Sequence, residues 1–79
     1  MMSAGHFPAV NGKDVVRALL RAGFVVDRIV GSHHVLAHPN DSRRTVSVPV
    51  HGARDLKRGT LRAIIRQSGF TVREFADLL

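Results

Sequence analysis

Apolar residues fall into runs separated by clusters of Gly, Pro, Asn and Ser, and their period changes from run to run. Val15, Val16, Leu19, Leu20 and Ala22 recur at helical spacing, the pattern of a helix with one buried stripe. Asn11 stands ahead of this run as an N-cap with Asp14 three residues on, and Gly23 supplies the stop. Phe24 to Val30 is rich in β-branched residues between glycines. It predicts a strand, with Val26, Arg28 and Val30 on one face and Val25, Asp27 and Ile29 on the other. Gly31-Ser32 predicts a tight turn, and His33 to His38 a second strand, with His33, Val35 and Ala37 facing one way and His34, Leu36 and His38 the other. Pro39-Asn40-Asp41-Ser42 reads as a loop. Thr45 to Val50 then alternates as a third strand with Val46, Val48 and Val50 inward, and Pro49 marks an edge or a strand end.

His51-Gly52 ends the strand region, and a basic connection leads to a helix running from Gly59-Thr60 through Leu61, Ile64 and Ile65 to Gly69. Lys57 and Arg58 stand at its entrance, and Arg58, Arg62 and Arg66, at i, i+4 and i+8, form a cationic row. Thr71 and Glu74 make a capping box that opens a last short helix through Phe75, Leu78 and Leu79. The order α-β-β-β-α-α, with three strands joined by short loops, predicts an α+β fold. In it a three-stranded antiparallel sheet carries the helices on one face and leaves the other to solvent or a ligand. With 79 residues the chain has material for one core, so residues 1–79 are read as a single domain with 1–8 as a loose or strand-like lead-in.

Charge changes the picture from fold to partner. Twelve Lys and Arg against six Asp and Glu leave +6 at neutral pH, an excess that favours a polyanion. Nucleic acid and an acidic protein both qualify. A membrane surface does not, because no long basic amphipathic helix with aromatic anchors is present and no apolar run approaches the length of a span. With no export signal either, the chain is expected in the cytoplasm. Absence of cysteine removes disulfides, thiolate zinc sites and cysteine nucleophiles.

The acidic residues are scattered, which argues against paired-carboxylate glycosidase and two-metal chemistry. No Gly-rich phosphate loop follows a strand and no GxSxG elbow occurs. Histidine remains, with four of the five rings between positions 33 and 51. An imidazole both accepts and donates protons at cellular pH and needs no cofactor to do so. His33 opens a strand after a turn, near Arg28 across the hairpin. Taken alone it also reads as a surface strand residue, His34 as one that packs, His38 as a loop-edge residue, and His51 as either a turn residue or a second group near a site. The best-placed rings lack a metal-ligand spacing on a shared face and have no carboxylate among them, so neither a metal nor another cofactor is expected.

Gly23-Phe24, Gly31-Ser32-His33-His34, Val48-Pro49-Val50-His51 and Leu56-Lys57-Arg58-Gly59-Thr60-Leu61 occur in an order and spacing that resembles the HicA family. These are the small mRNA-cleaving toxins of HicAB toxin–antitoxin pairs. The resemblance spans residues 8 to 79, and Val30 stands where the family is often basic. It implies a fold like a double-stranded-RNA-binding domain, endoribonuclease activity centred on His33 beside the turn Gly31-Ser32, and a HicB-like antitoxin that covers the basic face and hides the histidine. In that reading His33 acts as general base on the ribose 2′-OH without a metal. Arg28, Lys57, Arg58 and Arg62 neutralise the phosphate, Arg43 and Arg44 add RNA strand contacts, and the leaving-group acid is His51 or water. Two other functions fit the same charge: a domain that binds RNA without cutting it, and an interaction protein whose basic face meets an acidic partner.

Overall fold

Local signals set the helices. The computed structural model describes residues 9–79, so the expected lead-in at 1–8 lies outside the described residues. Helix α1 spans Gly12–Arg21, and its capping box is complete: the Asn11 side chain accepts from the Asp14 N–H at 2.9 Å while the Asp14 carboxylate receives the Asn11 N–H. Helix α2 spans Arg58–Ser68 and closes at Gly69. Helix α3, Val72–Leu78, opens on the reciprocal Thr71–Glu74 bonds and inserts Phe75 into the core. Arg21 ties its far end down by donating to the Leu78 carbonyl.

Strands β1 (Val25–Val30), β2 (His33–His38) and β3 (Asp41–Pro49) form an antiparallel meander in the order β1-β2-β3. One sheet face meets the helices. There Leu36, Val46 and Val48 join Val10, Val15, Leu19, Phe24, Leu61, Ile64, Ile65 and Phe75 in one apolar cluster. Side chains of this size contribute about 1.5–3 kcal/mol each when fully buried. No helix among the described residues is long and apolar enough to cross a membrane. The α+β architecture is the one that the hydrophobic pattern predicts.

The strands depart from simple alternation in two places. In β1 the register passes from Val26↔Leu36 to Arg28↔Val35, leaving Asp27 as an extra residue. Residues paired across a ladder share a face. The bulge therefore groups Val25 with Arg28 and Val30, and Val26 with Ile29, in place of the expected Val26-Arg28-Val30 and Val25-Asp27-Ile29 sets. In β3 the strand starts at Asp41 rather than Thr45, because His38 pairs with Asp41 directly across Pro39-Asn40. The ladder then skips to Ala37↔Thr45, so Ser42 to Arg44 loop out. Local bonds hold that loop: Asp41 accepts from the Arg43 N–H and Thr45 donates to the Ser42 carbonyl. Val50 lies just past the strand end but still packs half-buried against the core.

Candidate active site

The β1–β2 turn builds the first part of the site. Gly31 has φ +58° as the first central residue of a two-residue hairpin loop, a conformation in which a Cβ is strained and which suits Gly-Ser in a type II′ turn. The turn closes on the pair Val30↔His33 and so places His33 at the head of β2. On its other side His33 pairs with Pro49 of β3. The chain beyond Pro49 is then held to the turn, because the Val50 N–H donates to the Ser32 carbonyl at 2.7 Å.

The two adjacent histidines differ in what surrounds them. His33 lies on the sheet face away from the helices, is exposed, and takes part in none of the side-chain hydrogen bonds of the described residues. Both ring nitrogens are open to an incoming group. His34, opposite Ile29 and Val48, faces the helix layer and is half-buried, with its Nδ1 sealed from solvent and unpartnered. Of the two, only His33 has the access that proton transfer to a large substrate requires. His38 is occupied elsewhere: its Nδ1 accepts the Asn40 N–H at 3.1 Å and its ring meets Phe24 edge-on at 5.3 Å.

Helix α2 runs antiparallel to β3. Its C-terminal end meets the start of β3, where Arg44 donates to the Ser68 carbonyl, and Gln67 receives the Ser47 N–H. Its N-terminal end, with Lys57 as N-cap and Arg58 as first residue, therefore lies at the Pro49 end, the end that carries His33. No acidic residue sits in the first turn of α2 and no side chain caps it, so its positive dipole end is not neutralised locally. His51 follows Val50 at this same end, exposed, in a turn where its carbonyl accepts the Arg54 N–H. Arg62 is exposed one helical turn along from Arg58, and Arg28 stands on His33's face of the sheet, opposite Val35, with its guanidinium 2.6 Å from Asp27. Val30, not Arg28, is the direct cross-strand neighbour of His33 on β1.

Arg43 and Arg44 lie at the opposite end of the sheet, about 15 Å from His33 along the strands at 3.3 Å per residue. Arg43 is solvated and paired with Asp41 at 3.2 Å; its hydrogen bonds hold the Asp41 carboxyl below the ordinary carboxylate range. Arg44 has a packing role. Its Nε donates to the Ser68 carbonyl at 2.6 Å, at the negative end of α2, and its guanidinium lies 5.5 Å from the Phe24 ring centroid and 4.8 Å from that of Phe70. Arg44→Ala is expected to lower stability by about 2 kcal/mol, from the charged hydrogen bond and the cation–π contacts together. The urea midpoint reads this loss.

One residue that positions the site is not visible in the hydrophobic pattern. Gly12, in the first turn of α1, is buried against the end of β3: a Cβ there would run into the Pro49 carbonyl oxygen and lie 3.0 Å from the Val50 Cα. The segment after β3 also passes the start of α1, with Leu56 N–H donating to the Val10 carbonyl at 2.8 Å and a bridge between Asn11 and Asp55. A glycine inside a helix costs about 1 kcal/mol relative to alanine, and that cost was the available signal of a close backbone approach.

The site thus gathers Gly31, Ser32, His33, His51, Lys57 and Arg58 at one end of the sheet, with Arg28 and Arg62 flanking it. Among the described residues no three His, Asp or Glu side chains come together as metal ligands. A family model described as HicA toxin of bacterial toxin–antitoxin matches residues 12–70, about three quarters of the 79-residue chain. No curated protein matches the chain.

Proposed function

The chain belongs to the HicA toxin family of bacterial toxin–antitoxin systems, and on that premise we propose that it is a metal-independent endoribonuclease that cleaves mRNA in the cytoplasm. His33 is its general base, and a HicB-like antitoxin is its inhibitor. The observation that supports this reading most is an exposed imidazole, free of hydrogen bonds among the described residues, at the one end of the sheet where the N-terminus of α2 and its cations also lie. A residue used only to hold RNA gains little from being an imidazole. A residue that moves a proton needs an open nitrogen.

The reaction follows from what such a site can do. His33 takes the proton of a ribose 2′-OH, and the 2′ oxygen forms a bond to the adjacent phosphorus. The bond from phosphorus to the 5′ oxygen breaks, and that oxygen takes a proton from His51 or water. The products are a 2′,3′-cyclic phosphate and a 5′-OH end, and the proton held by His33 returns to solvent. Lys57, Arg58, Arg62 and Arg28 neutralise the phosphate as its charge grows. The likeness to a double-stranded-RNA-binding domain that the family implies fits recognition through backbone and shape, with four Phe and no Tyr or Trp for base stacking.

Incubating the purified protein with a labelled single-stranded RNA and the matching DNA in excess EDTA tests the reading. Cleavage of RNA alone, with cyclic-phosphate ends, is the expected result. RNA that is bound and left intact would replace the nuclease with the RNA-binding domain of the same fold. Cleavage of DNA, or protection of RNA by EDTA, would overturn the 2′-OH mechanism.

A further inference from the structure

Strand β1 is exposed along its whole length, and nothing among the other described residues covers it. All six of its residues are exposed, and four are β-branched and apolar: Val25 at 51%, Val26 at 42%, Ile29 at 58% and Val30 at 60%. It pairs only with β2 among the described residues. The other edge of the sheet is treated differently. There Val46 and Val48 are fully buried, Gln67 takes the Ser47 N–H, and Gly12 packs on the Pro49 carbonyl. An apolar edge strand with free backbone groups is a template for another strand, and natural proteins guard such edges unless they use them. The guard on β1 is confined to its middle, where Asp27 bulges out and pairs with Arg28. Past the bulge, Arg28 to Val30 are in regular register. Because the two-residue hairpin closes on Val30↔His33 as a hydrogen-bonded pair, the N–H and C=O of the next residue, Ile29, point out of the sheet.

We propose that the outer edge of β1 at Arg28–Val30 is the docking strand for this toxin's antitoxin, which adds an extended acidic segment beside it as a fourth strand. The proposal rests on the family reading only for the existence of an antitoxin. Charge selects this occupant over a second copy of the chain. Two copies would each bring a net +6, whereas an acidic strand is steered toward Arg28 and the cations of the neighbouring end. Main-chain bonds to Ile29 supply affinity and the flanking apolar side chains supply the buried area. Position explains inhibition. Strands in a sheet are about 4.8 Å apart, so an added strand sits two spacings from β2, and the domain that carries it stands over His33, whose β1 neighbour is Val30.

Two variants test this with the toxin's cognate antitoxin, purified as the complex. Ile29→Pro removes the outward N–H without breaking a ladder bond to β2, and Ile29→Lys places a charge on the docking edge. Each is expected to weaken antitoxin binding about 30-fold or more by calorimetry, with RNA cleavage by the free protein unchanged. In the parent complex the Ile29 amide is expected to become protected from hydrogen exchange. If the proline variant fails to fold, the lysine variant and the exchange measurement decide. Wild-type affinity in a folded variant, or no added protection at Ile29, overturns the proposal, as does protection of Ile29 by self-association of the toxin alone. Absence of RNA cleavage by the parent would overturn the nuclease reading and leave the docking result standing.

Discussion

Replacing His33 with alanine is expected to slow RNA cleavage about 10²–10⁴-fold, the contribution of one general base, and to leave the fold intact. The fold survives because the ring is exposed and bonded to nothing among the described residues, and surface substitutions of this kind change stability by about 0.5 kcal/mol or less. RNA affinity is expected to hold within about two-fold, since binding comes mainly from cations that meet the phosphates. Expression of the parent is expected to arrest growth, and expression of the variant to lose that arrest. His34→Ala is the matched comparison: that ring is half-buried on the helix side with a sealed Nδ1, so its loss acts on packing and leaves the rate of the folded protein nearly unchanged. Measuring cleavage, affinity and melting temperature on the three proteins separates the two histidines. A folded His33→Ala protein that cuts at the parent rate would sink the catalytic assignment.

The contrast between His33 and His34 also shows where sequence reading succeeds. Both lie in a strand, and a period of two is enough to place them on opposite faces, as they are. The caps of α1 and α3 were legible for the same reason: Asn11 with Asp14 and Thr71 with Glu74 act within one turn. The bulge at Asp27 was not, because alternation carries no mark of an extra residue and the register is fixed by β2 across the hairpin. Nor could charge alone distinguish Arg43 from its neighbour. Arg43 is solvated, while Arg44 turns to Phe24, Phe70 and the Ser68 carbonyl, which chain folding brings from distant positions. The cations at the entrance of α2 reach the His33 end through the antiparallel packing of that helix on β3, a tertiary fact with no local signal.

Gly12→Ala is expected to cost about 3 kcal/mol of stability, at the upper end for overpacking, although the same change in an open helix would stabilise by about 1 kcal/mol. The sign is decided by the neighbour. A Cβ at Gly12 meets backbone, the Pro49 carbonyl group and the Val50 Cα, and backbone in a paired strand cannot swing aside as the tip of a long side chain can. Either α1 backs away from the sheet, loosening Val15 and Leu19 in the core, or the end of β3 shifts. For a domain of this size, 3 kcal/mol lowers the melting temperature by about 12–24 °C, which calorimetry reads directly. The second route also bears on catalysis. Pro49 is the β3 partner of His33 and Val50 bonds the turn through Ser32, so a displaced strand end moves the imidazole relative to Lys57 and Arg58. Below the lowered melting point, cleavage by the variant is therefore expected to fall several-fold while Arg44→Ala, which acts at the other end of the sheet, spares it. A Gly12→Ala protein as stable as the parent would mean that the approach of α1 to β3 is looser than the structure has it.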